Sequence, residues 1–232
     1  MNMNTYYDSE KSELLHPFKN SELIKRTYSQ AYQDLFVLSV LNGKKNGTYV
    51  EIGSNHPTVA NNTYVLETVL GWKGVSFDID EEMCKEFKIQ RRNPVVICDA
   101  TTVDYSSVFE QYRLPTNPNR IDYLQVDIEP APQTLAALKA INFDLYKFSV
   151  ITFETDIYVG GGNARIVEES REYLRSYGYQ LVAKHVMNGG NPFEDWYVDP
   201  SVVAEEKWKP FESQSVECVE MFIKGGISLC HI

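Results

Sequence analysis

Acidic residues recur at a regular interval through the middle of the chain: Glu51, Asp78, Asp99, Asp127, and then Glu154 with Asp156. Asp78 stands 21 residues after Pro57, and Asp99 follows a further 21 residues on. An ionised carboxylate accepts hydrogen bonds and donates none, so such a series suits a ligand that presents hydroxyls, an amine or an ammonium group. At Asp78 the matching partners are the two hydroxyls of a ribose, as in dinucleotide-binding folds. At Asp99, beside Ala100, the matching partner is an adenine exocyclic amine, with a turn cap through Thr101 and Thr102 as the alternative. Glu51 lies inside the apolar run Tyr49-Val50-Glu51-Ile52-Gly53. A buried carboxylate there needs a partner, and a ligand's ammonium would supply one. Gly53 lets the backbone turn sharply and lets a ligand approach. The loop continues Ser54-Asn55-His56-Pro57 and holds a single glycine, so it is not a G-x-G-x-x-G loop.

Strand ends must position these acids. Ser29–Leu41 reads as a helix stopped by Asn42-Gly43, and Thr48–Ile52 as a strand. Then come a helix over Asn61–Leu70, a strand over Gly74–Ile79, a helix capped by Asp80, and a strand over Val95–Cys98. A helix over Tyr105–Tyr112, a strand over Ile121–Ile128, a helix over Thr134–Ile141 and a strand over Phe148–Glu154 follow. Ala164–Tyr177 reads as a helix, with Tyr179–Val186 and Val216–Ile223 as the last strands. Such alternation predicts right-handed βαβ units and a parallel sheet with helices on both faces. Ligands then bind outside the carboxyl ends of the strands, where the acids lie. Residues 187–215 show no helical pattern, so the final strand is expected to return antiparallel, and the segment is expected to be a substrate loop or lid. Trp196 and Tyr197 within it could stack on an acceptor or anchor the loop to the core. Residues 1–28 read as an N-terminal extension to a domain over 29–232.

Composition narrows the class. The chain has 232 residues, 43% of them hydrophobic, enough for a sizeable core without staples. Its formal net charge of −10 argues against nucleic acid as a bulk partner, because sequence-independent binding runs on Lys and Arg. Cys84, Cys98, Cys218 and Cys230 form no C-x-x-C or zinc-type spacing. No apolar run resembles a signal peptide or approaches the ~18 residues of a membrane span, so a cytoplasmic location is expected. A homodimer is left open.

Four motifs occur in order: Ser29-Gln30-Ala31-Tyr32-Gln33-Asp34, Tyr49–Gly53, Asn61-Asn62-Thr63-Tyr64-Val65-Leu66-Glu67, and Gly71-Trp72-Lys73-Gly74. Together they resemble the FkbM-type methyltransferases over roughly residues 28–156. The resemblance implies an α/β, Rossmann-like class I methyltransferase fold with a seven-stranded sheet, order 3-2-1-4-5-7-6. It implies S-adenosylmethionine as cofactor and O-methylation of a hydroxyl, often on a sugar or natural product. By position it gives a cofactor role to Glu51, Gly53, Asp78 and Asp99, and suggests one for Asn62. The adjoining Ser54, Asn55, Ile79 and Ala100 join the expected cofactor site. The segment Asp127-Ile128-Glu129-Pro130-Ala131-Pro132 departs from the family's pattern, with prolines in place of a glycine and an acid. Asp127, Glu129, Thr134, Ala137 and Leu138 also look like the macrocin-type O-methyltransferases, which bind a divalent metal.

Methyl transfer to a hydroxyl requires alignment and removal of a proton. Asp127 is the first candidate, as base or metal ligand, with Glu129 beside it. His185, near the end of the sixth strand, is the other candidate base. Glu154 and Asp156 are candidates for the acceptor, or with Asp127 for Mg²⁺. The expected partner is a small-molecule or saccharide acceptor. The competing readings are a nucleotide-dependent Rossmann-type enzyme and a binding module that retains the fold without catalysis.

Overall fold

The computed structural model describes residues 6–114 and 119–226. Cys230 lies outside the described residues. The strands are β1 (Thr48–Ile52), β2 (Lys73–Asp78), β3 (Val95–Ile97), β4 (Arg120–Val126), β5 (Lys147–Glu154), β6 (Gln180–Asn188), β7 (Asn191–Val198) and β8 (Ser213–Gln214). The helices are α1 (Gln33–Val40), α2 (Tyr64–Thr68), α3 (Glu81–Gln90), α4 (Tyr105–Gln111), α5 (Ala131–Ala140), α6 (Asn163–Ser176), α7 (Glu205–Trp208) and α8 (Cys218–Phe222).

The strands form one sheet in the order β3-β2-β1-β4-β5-β7-β6-β8. β1 to β5 pair in parallel, and β7 runs antiparallel to both β5 and β6. This is the Rossmann-like order expected from the sequence, with the short β8 added at one edge. The chain leaves β1 toward β2 and returns to β4 on β1's other side. The crevice between β1 and β4 is therefore the topological switch point, where ligands bind in open α/β sheets.

Period-2 alternation divides the core between the two faces of the sheet. Tyr49, Tyr123, Val150 and Trp196 face α1, Leu14, Phe18, Phe211 and Phe222. Val50, Ile52, Leu124, Val126, Ile151 and Phe153 face Phe109 of α4, Leu135 and Leu138 of α5 and Leu174 of α6. Within the N-terminal extension, Tyr7, Leu14, Phe18 and Ile24 are buried, and Leu14 bridges to Ile223.

Two segments differ from expectation. Residues 191–198, read as part of a loop or lid, form β7, at the heart of the sheet between β5 and β6. The turn into it is Gly189-Gly190, with φ of 62° and 84°, a conformation that suits a tight two-residue hairpin. Residues 216–223, read as the last strand, instead hold α8. Cys218, Met221 and Phe222 are buried there at the i, i+3, i+4 spacing of one helix face.

Candidate active site

A cavity of about 700 Å³ opens at the carboxyl ends of the parallel strands. That size falls within the ~300–1,000 Å³ typical of small-molecule and cofactor sites. Its floor is the loop after β1. Gly53 and Ser54 both donate their N–H groups to the Phe77 carbonyl, at 2.9 and 3.1 Å. Gly53 has φ of 82°, and a Cβ there would lie 1.7 Å from the Asp127 carbonyl oxygen. Only glycine fits where β1 and β4 approach so closely.

A buried ion pair fixes the far side of this loop. Arg91 and Glu67 meet at 2.7 Å with both side chains buried. Arg91 also donates to the Pro57 carbonyl, Asn61 Oδ1 and Thr63 Oγ1, at 2.9, 2.9 and 3.0 Å. The motif Asn61–Glu67 is thus a clamp on the cavity loop. Within it, Asn62 itself lines the cavity.

Asp78 and Asp99 stand at one end of the cavity. The Asp78 carboxylate accepts from the backbone N–H groups of Asn55 (2.6 Å) and Asp80 (2.9 Å), one on each oxygen. Each oxygen keeps a lone pair, enough for two ligand hydroxyls. Asp99 accepts from the Thr101 hydroxyl and N–H, and these bonds hold its carboxyl below the usual range. The turn cap and a cofactor contact are compatible, because these bonds occupy only Oδ1. Ile79 is 73% exposed although it lines the cavity, an apolar wall suited to a flat ring. Ala100 is buried beside it, its carbonyl accepting from Tyr105 Oη at 2.7 Å.

A band of buried polar side chains crosses the sheet beneath the cavity. Glu51 registers with Ser76 on one side and Gln125 on the other. Ser76 donates to Glu51 at 2.7 Å, and burial pushes the Glu51 carboxyl up to about 7 despite the charge of Arg91. Ser54 Oγ, Asn62 Oδ1, Gln125 Oε1 and Glu154 Oε2 are buried without a hydrogen-bond partner, and their residues all line this cavity. Buried polar atoms left unpaired are costly, so a cluster of them at one cavity marks a ligand's polar groups.

At the other end the acids face one another. Asp127, Glu129 and Glu154 line the cavity together there, with Gln125 two positions before Asp127. Burial drives the Asp127 carboxyl up, with the Glu129 charge adding to it. Burial and the Asp127 charge drive the Glu154 carboxyl up to about 12. Both carboxyls of the pair are therefore held above the ordinary carboxylate range. Asp156 is pushed up to about 6 by burial and by the charges of Asp127 and Glu129. Glu129 is exposed at the cavity wall. The prolines at 130 and 132 open α5, where missing N–H groups cost nothing.

Several expected site residues fall elsewhere. His185 does not line the cavity. It sits in the irregular pairing of β6, with its ring 3.2 Å from Arg171 Nη2 and its backbone N–H donating to Asp195 at 2.8 Å. Burial lowers its pKa. Trp196 and Tyr197 are core residues of β7: Trp196 stacks on Phe36 at 4.7 Å and donates to Glu194 at 2.6 Å. Tyr197 packs on the opposite face. Asp156 is buried behind the cavity wall. Among the described residues, no group of three His, Cys, Asp or Glu side chains is placed to hold a metal ion. By that geometry the described residues do not fit Mg²⁺.

Sequence reading passed over Gln125, Glu194 and Gln33. Gln125 lies two positions before Asp127, at the period that keeps side chains on one strand face. Glu194 is fully buried, registers with Glu154, and accepts from Gln33 Nε2 at 3.1 Å. Gln33 belongs to the Ser29–Asp34 motif, which therefore touches the same band of acids.

No family model matches the chain, and no curated protein matches it by sequence. Solved structures do resemble it. A putative rRNA-methylase from Clostridium thermocellum is 15% identical, covering 72% of this chain and 92% of that one, with a TM-score of 0.48. Aeropyrum pernix fibrillarin, solved with natively bound S-adenosyl-L-methionine, is 11% identical, covering 73% and 74%, with a TM-score of 0.49. TrmK from M. capricolum, in complex with S-adenosyl-homocysteine, is 15% identical, covering 80% and 72%, with a TM-score of 0.45.

Proposed function

We propose that this chain is an S-adenosylmethionine-dependent methyltransferase acting on a hydroxyl of a small molecule, a sugar or a related metabolite. The observation that carries the reading is the grouping of unpartnered buried acceptors, Ser54, Asn62, Gln125 and Glu154, in the cavity that Asp78 and Asp99 also line. Asp78 would hold the ribose hydroxyls and Asp99 the adenine amine, with Ile79 and Ala100 against the ring. Glu51, Ser54 and Asn62, on either side of Gly53, would receive the amino-acid end. An ammonium there would bring the Glu51 carboxyl back toward its ionised form.

S-adenosylmethionine, when bound, would supply an electrophilic methyl group to the acceptor oxygen. Asp127 takes the proton that the acceptor hydroxyl must lose. Glu154, at the end of the neighbouring β5, would line the acceptor side beside it. Gln125, two positions before Asp127, lines the cavity with it.

The test is methyl-label transfer by Asp127→Asn. General-base loss typically costs ~10²–10⁴-fold in turnover, so a loss of that size is expected with S-adenosylhomocysteine affinity kept within about threefold. Full turnover by Asp127→Asn would remove Asp127 from the reaction.

A further inference from the structure

The acceptor end of the cavity is lined by acids with no cation to offset them. Asp127, Glu129 and Glu154 line it, with no Lys or Arg among the described lining residues. Asp156 lies close enough behind for its charge to act on Asp127's neighbourhood. Tyr158 stands at the rim, half-exposed, its phenol pKa raised by partial burial and then by the charges of Asp156, Glu154, Glu129 and Asp127. Two further observations point to a ligand. Glu154 is more than nine-tenths buried, yet its Oε2 has no partner in the cavity wall. Gln125 Oε1, also buried, is a second orphaned acceptor beside it. Orphaned acceptors call for donors, and crowded carboxylates call for positive charge. An aromatic ring beside them is the usual companion of an ammonium group.

Resting on the methyltransferase reading, we propose that the acceptor is an amine-bearing polyhydroxylated molecule of the amino-sugar class, whose ammonium sits among Glu129, Glu154 and Tyr158 while its hydroxyl faces Asp127. The same charge excludes phosphorylated and carboxylated acceptors, because no cation among the described lining residues would offset a second anion beside Asp127.

Binding to the full chain loaded with S-adenosylhomocysteine tests this, using glucosamine, N-acetylglucosamine and glucosamine 6-phosphate as probes. Glucosamine should bind about tenfold more tightly than the N-acetyl form, the scale of one desolvated cation contact, and the phosphate should bind most weakly. Glu129→Gln, at an exposed position, should shrink the glucosamine preference to about threefold while S-adenosylhomocysteine still binds. Equal affinities, a preference for the phosphate, or binding of none of the probes overturns the amine assignment. If S-adenosylhomocysteine itself fails to bind, the methyltransferase reading falls first, so the two failures are distinguishable.

Discussion

The two ends of the cavity use carboxylates in opposite ways. At the β2 and β3 end, Asp78 and Asp99 are tied to N–H and hydroxyl donors within a few residues of themselves or in the neighbouring loop. Those donors hold both oxygens of Asp78 and one of Asp99 before a ligand arrives, and at Asp99 they favour the ionised form. At the β4, β5 and β7 end, Asp127, Glu154, Asp156 and Glu194 face one another, and all are raised. Donors produce a rigid, charged receptor for hydroxyls and amines. Crowding produces a group that can take up and hand over a proton near neutral pH. The same residue type thus becomes a binding group or a base according to what surrounds it.

Gly53 joins the two ends, so it is the point at which to break them together. Gly53→Ala meets both a positive φ and the Asp127 carbonyl at 1.7 Å. Backbone strain of this kind costs ~1–3 kcal/mol, and the steric clash adds to it. Thermal denaturation should show that loss, with cofactor affinity and Asp127-dependent turnover falling together. Unchanged melting and turnover would mean that β1 and β4 can separate freely at this point.

That glycine and the strand-end acids were legible in the sequence because each depends on local rules. A carboxylate at a strand tip reads the same with or without the rest of the protein. The Asp80 cap was equally local: its side chain accepts from Glu82 and Met83, at 2.8 and 3.0 Å. β7 was not legible, because Glu194 and Asp195 interrupt its apolar alternation. Both acids are fully buried, and their partners lie far along the chain. Gln33 serves Glu194, and Arg171 holds Asp195 at 2.7 Å. The Gly189-Gly190 turn opens a hairpin, but those charges break the period-2 pattern of the strand that follows it. His185 failed for a related reason. Its position near a strand end suggested catalysis, whereas Arg171 and Asp195 take it into a separate buried cluster.

The proton-holding end can be sharpened by pH. Burial pushes Asp34 up to about 6 and Glu51 to about 7, and Glu194 to about 8. These folded-state values lie above the unfolded ones, so the folded chain binds more protons between about pH 4 and pH 8. Stability should therefore be greatest at the acid side of that window and should fall as pH rises through it. Melting temperatures of the ligand-free protein from about pH 5 to pH 8.5 check the sign. Glu194→Gln should flatten part of the slope and raise the melting temperature at the alkaline end. A melting temperature that climbs with pH would contradict the burial of ionisable acids.

The smallest effect is expected outside both ends. His185→Ala removes a ring held by Arg171, not a cavity group, so turnover should stay within about twofold while stability drops by ~1 kcal/mol. A large loss of turnover with normal cofactor binding would bring His185 back as a base.

Titration calorimetry of the wild-type chain and Asp78→Asn with S-adenosylhomocysteine tests the central claim most directly. The wild type should bind one equivalent. Asp78→Asn should bind about 10–100-fold more weakly, the cost of ~1.5–3 kcal/mol for a hydrogen bond to a charged group. No heat from the wild type, or equal affinity in the two proteins, would contradict the assignment of this cavity to the cofactor.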